Sequence, residues 1–84
     1  MNDYFDEIKK RISEQVKFEK IEIIDNSDKH KKHKFFSPEK LHLHFKIKSK
    51  YLKSLSKINA QKIIMKIFKE DFKTKIHALE ISIE

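Results

Sequence analysis

Five histidines carry the metal chemistry this sequence can offer: His30, His33, His42, His44 and His77. The chain has no cysteine, so imidazole is its strongest soft-metal donor and its one side chain that titrates near neutrality. His30 and His33 stand in an H-x-x-H spacing inside a lysine-rich stretch, where exposed, solvated histidines are the plainer reading. His42 and His44 alternate with apolar residues, so a strand places both rings on one face. There they either converge on a metal or form the polar side of an amphipathic strand, and the second is the simpler account. His77 shares parity with Leu79, Ile81 and Ile83 at the start of a strand. That predicts a half-buried core histidine, sheltered but reachable.

Other chemistry is thin. Glu70 and Asp71 close a helix, and Asp25 and Asp28 sit in a turn. Asp25, Ser27 and His30 lie too close along the chain to assemble a Ser-His-Asp triad. No catalytic residue and no enzyme is expected. The missing cysteine excludes disulfides, Cys-ligated zinc and a thiol nucleophile. Glycine is absent too, which excludes the P-loop, the G-x-G-x-x-G turn and the G-x-x-G loop of standard KH domains, each needing a residue without a Cβ near phosphate.

Eighty-four residues make one small domain, 1–84, and leave no room for two. Phe5, Ile8, Ile12 and Val16 form one stripe of an amphipathic helix over residues 3–17, capped by Asn2 or Asp3. Ile21, Ile23 and Ile24 make a short strand that ends in the turn formers 25–28. Residues 29–40 read as a loop holding the single proline, Pro38, with Phe35 and Phe36 tacking it to the body. Leu41, Leu43, Phe45 and Ile47 alternate with His42, His44, Lys46 and Lys48 as a second strand over 41–49. A helical turn follows at 51–55. Then comes a longer helix from a Ser54 or Ser56 cap to Phe72, burying Ala60, Ile63, Ile64, Ile67, Phe68 and Phe72. A last strand, 75–83, buries Leu79, Ile81 and Ile83. The order is α-β-β-α-α-β. It predicts an α+β fold: a three-stranded mixed sheet with helices on one face, the first two strands antiparallel and the last parallel through a right-handed crossover.

Charge is unevenly distributed. Residues 1–28 hold five basic and eight acidic side chains, 29–62 hold eleven lysines and one glutamate, and 63–84 hold four of each sign. The whole net charge of +7 therefore sits in the middle third, which suits an anionic partner. A lysine- and isoleucine-rich, glycine-free composition is also what an AT-rich genome imposes, so a merely solvated basic surface stands beside that reading. No apolar run approaches membrane-spanning length, and the acidic first residues lack the apolar core of a secretory signal. The expectation is a cytoplasmic protein.

Three motifs resemble the BolA family. The stretch IEIIDNSDKHKKH (21–33) resembles its strand followed by D-x-S-x-x-H-x-x-H, HFKI (44–47) its H-F-K-V, and IHAL (76–79) its V-H-A-L. Together they cover nearly the whole chain, about 8–83. Two departures stand out. The family's S-x-x-F-x-G stretch is shortened to SKYLK (49–53) with no glycine, and its R-H-R becomes Ala60-Gln61-Lys62, which loses a cation and the histidine.

The resemblance implies a type II KH-like fold and two activities. One is pairing with a monothiol glutaredoxin around a bridging [2Fe–2S] cluster. The family's C-terminal histidine corresponds to His77 and its loop histidine to His30, with His33 as the substitute. Such a cluster takes four ligands. A thiol-free chain supplies imidazoles only, so the partner's cysteine and a glutathione thiol must complete the set. Both imidazoles ligate when neutral, so assembly weakens below about pH 6. The other activity is DNA binding and transcriptional control. Here residues 50–72 act as a helix-turn-helix-like pair in which Lys50, Lys53, Lys57, Lys62 and Lys66 meet phosphates, mostly without sequence preference. A third use of the basic surface is docking an acidic partner protein. Whether the chain also dimerises stays open at this level.

Overall fold

The structure, a computed structural model, describes residues 3–27 and 41–84. Helix α1 spans Asp3–Gln15, strand β1 Lys20–Asp25 and strand β2 Leu41–Lys48. Two short helices, α2 (Lys50–Lys53) and α4 (Asp71–Thr74), flank the longer α3 (Lys57–Ile67), and β3 (Ile76–Ile83) closes the chain. The sheet order is β1-β2-β3, with β1 antiparallel and β3 parallel to the central strand. This is the α+β arrangement the sequence predicts. No helix among the described residues is long and apolar enough to cross a membrane.

One face of the sheet carries the core. Leu43, Phe45 and Ile47 of β2 are buried against Ile8 and Ile12 of α1 and against Ala60, Ile64, Ile67 and Phe68. Phe45 and Phe68 meet edge-on at 5.4 Å, the geometry aromatic quadrupoles favour. Ile63 and Phe72 are only partly buried at the margin of the expected stripe.

The long helix ends earlier than its apolar spacing predicts. It stops at Ile67, with Phe68 as its C-cap, and the chain restarts as α4 at Asp71. Asp71 explains the restart. Its carboxylate takes a forked pair of hydrogen bonds from Arg11 of α1, at 2.9 and 2.8 Å, and another from the Tyr4 hydroxyl. Arg11 also donates to the Ile67 carbonyl at 3.2 Å, one of the last carbonyls of α3. The Lys75 ammonium lies 4.6 Å from the centre of the Tyr4 ring. A continuous helix would carry Asp71 past this anchor.

Serines set the other helix starts. Ser56, not Ser54, caps α3 by accepting from the Asn59 amide. Ser49 lies just beyond β2 and caps α2: its fully buried hydroxyl accepts from the Leu52 amide and donates to the Lys17 carbonyl at 2.7 Å. Its amide donates to the Glu84 carbonyl. Asp3 is the first residue of α1 rather than its cap, and Asn2 lies outside the described residues.

Candidate functional site

Strand β3 begins irregularly, and the irregularity selects His77. Leu41 of β2 pairs with Ile76, but the next residue, His42, pairs with Ala78. Strand β3 therefore spends one extra residue, His77, as a bulge, which re-aims a side chain at the end of a strand. Ile76 takes the core position and is fully buried, whereas His77 is exposed. The expected half-buried core histidine is thus corrected. Strict alternation fails one residue before Ala78, and the ring is turned out of the core.

The ring of His77 stands against that of His42, with centroids 4.9 Å apart and planes tilted by 43°. His42 is itself a correction. Alternation places it on the solvent side of β2, yet it is only 7 % exposed. It forms the floor on which His77 rests. Its backbone is fixed from the turn after β1: its amide donates to the Ser27 hydroxyl at 3.1 Å and its carbonyl accepts from the Asn26 amide at 2.7 Å. The Asp25 carboxylate closes that turn by accepting from the Ser27 amide.

His44, on the same face of β2, turns to other partners. Its Nε2 lies 2.7 Å from the Ser82 hydroxyl and 3.7 Å from the Glu80 carboxylate. His44 thus turns toward β3 residues other than His77, while His42 packs beneath His77. Among the described residues no three of His, Asp and Glu come together as a metal site.

His30 and His33 lie outside the described residues, as do Phe35, Phe36 and Pro38. The structure does fix where their segment leaves and rejoins the body. It departs after Ser27 and returns at Leu41, both beside the His42–His77 pair.

The five candidate lysines, Lys50, Lys53, Lys57, Lys62 and Lys66, are all exposed along α2 and α3. Lys53 and Lys57 both line a groove of about 420 Å³ between the α2–α3 junction and the end of β3. Sequence reasoning missed His42 as a partner of His77 and Asp71 as a helix anchor. Neither leaves a local signal, because each depends on which residue a distant element brings opposite.

A family model described as BolA-like protein matches residues 12–84. No curated protein matches in sequence. Two solved structures share the fold. The BolA domain of SufE1 from Arabidopsis thaliana superposes with a TM-score of 0.79 at 20% identity, covering 100% of this chain and 93% of that one. BolA1 from Arabidopsis thaliana gives 0.79 at 19% identity, covering 99% and 92%. The structural likeness speaks for the fold, and the family match extends over most of the sequence: the chain belongs to the BolA-like protein family.

Proposed function

We propose that this protein is a non-catalytic adaptor that pairs with a monothiol glutaredoxin around a shared [2Fe–2S] cluster, in the service of iron–sulfur or iron homeostasis. The observation that carries the reading is the exposure of His77 on the bulge of β3, beside both ends of the segment bearing His30 and His33. A ligand to a shared centre has to be reachable from outside yet held in one place. The bulge supplies the first condition and the packed floor of His42 the second.

The donor set fits such a group. The chain has imidazoles and no thiol, so it can complete a ligand shell but cannot found one on cysteine. His77 would hold one iron, with His30 or His33 as second ligand. The sulfur donors would be the partner's cysteine and glutathione. When bound, the group supplies iron-centred electron and cluster chemistry. This chain contributes neutral nitrogen ligands and their orientation. The test is to mix the protein anaerobically with a monothiol glutaredoxin, glutathione, iron and sulfide, and to measure iron in the complex separated by size. Iron co-eluting with both proteins, reduced in His30→Ala or in His33→Ala, supports the reading and identifies the loop ligand. A complex with no iron opposes it.

A second reading, a DNA-binding regulator, draws on the five exposed lysines of α2 and α3. Their contacts would be to phosphates, so binding would be salt-sensitive and weakly specific.

A further inference from the structure

The last strand ends the sheet, and among the described residues no strand pairs with its outer edge. Glu84, just after β3, gives both backbone groups to the central strand and the residue that follows it: its amide donates to the Ile47 carbonyl at 2.8 Å and its carbonyl accepts from the Ser49 amide at 3.0 Å. In a parallel ladder, residues that give both groups to one neighbour alternate with residues that direct both away. Pairing between β2 and β3 is regular from His42–Ala78 onward. Leu79, Ile81 and Ile83 therefore direct their amides and carbonyls to the free edge, and no backbone bond from another described residue reaches them. Edges are usually blunted by charged side chains, lysine above all, by proline or by a bulge. The run Leu79-Glu80-Ile81-Ser82-Ile83 has no lysine, proline or bulge, and its one charge, Glu80, stands on the parity opposite to Leu79, Ile81 and Ile83.

Alongside this edge runs the groove lined by Leu52, Leu55, Ile81 and Ile83, and also by Lys53 and Lys57. We propose that β3 takes up an extended acidic peptide segment of a partner protein as a fourth strand, with one aliphatic side chain in the groove and flanking carboxylates on Lys53 and Lys57. The mode is β-strand addition: backbone bonds give affinity and alternate side chains give specificity. Three edge residues offer donors and acceptors in alternation, which another polypeptide strand matches. Phosphates accept only and would leave the three carbonyls unmatched. Among the described residues, no aromatic side chain on which bases could stack lines the groove. The inference does not involve His77 and stands apart from the cluster reading.

The probe is an acetylated, amidated peptide Thr-Glu-Thr-Val-Thr-Glu-Thr, titrated into the ¹⁵N-labelled full chain. Saturable shifts at the Leu79, Ile81 and Ile83 amides, with slowed hydrogen exchange there, are expected. Lys53→Glu with Lys57→Glu should weaken binding about tenfold or more without changing the rest of the spectrum. Equal binding of the control Thr-Lys-Thr-Val-Thr-Lys-Thr would overturn the proposal. So would oligothymidylate, but not the peptide, moving the same amides, or protection of those amides by self-association alone.

Discussion

His42 lies beneath His77, ring against ring at 4.9 Å, and the two differ sharply in burial although each stands second in its strand. The buried ring belongs to the fold and the exposed ring to solvent. Replacing His77 with Ala should therefore change stability by no more than about 0.5 kcal/mol, as for most surface sites. His42→Ala removes a packed ring and should cost about 1–3 kcal/mol. Urea unfolding of the two variants checks this. Equal losses would contradict the assignment of floor and ligand.

The Arg11–Asp71–Tyr4 network gives stability a defined pH dependence. Burial alone would raise the Asp71 carboxyl, but the forked Arg11 bond and the Tyr4 hydroxyl outweigh it and hold the group below the usual carboxylate range. A depressed folded value means the unfolded chain binds the proton first. The contribution is whole above about pH 4 and is lost as pH falls through the folded value. Asp71→Asn should cost about 1–3 kcal/mol at pH 7, less Arg11's remaining solvent contact, and the deficit should shrink below about pH 4. A deficit that stays constant in acid would contradict it. Tyr4 behaves in the opposite sense. Burial, with the bond to Asp71, raises its hydroxyl, so its contribution is whole below about pH 10 and fades as pH rises through the folded value.

Duplex DNA gives the lysines their own test. If Lys62 and Lys66 meet phosphates, log affinity falls linearly with log salt, and each lysine replaced by Ala lowers the slope by about 0.9. Filter binding across a salt series measures it. An absence of binding at about 50 mM salt would discard the DNA reading. The same replacements should leave cluster assembly intact, because the proposed ligation rests on imidazoles.

Much of this fold was readable from side-chain period. The alternation of 41–48 and the stripe from Ala60 to Phe68 made the central strand and the main helix legible, because both bury one face against the same core. The cap of α3 was legible as Ser54 or Ser56 because capping is local, and Ser56 holds it. The bulge was not, since His77-Ala78-Leu79 continues a plausible alternation and only pairing with Leu41 and His42 exposes the extra residue. The break after Ile67 was hidden for a similar reason: the apolar spacing continues to Phe72, and the anchor that interrupts it sits on α1, sixty residues away from Asp71. Of the candidate site, the sequence singled out His77 but misjudged its surroundings, while His30 and His33 lie outside the described residues.

The central claim is that His77 is this chain's own ligand to a centre whose sulfurs come from elsewhere. Visible circular dichroism of the anaerobic mixture with monothiol glutaredoxin and glutathione measures this directly, comparing wild type with His77→Ala at pH 7. The account predicts that the mixed-complex spectrum is lost and only the spectrum of the glutaredoxin alone remains, with the variant still folded. An unchanged mixed spectrum in His77→Ala would contradict it.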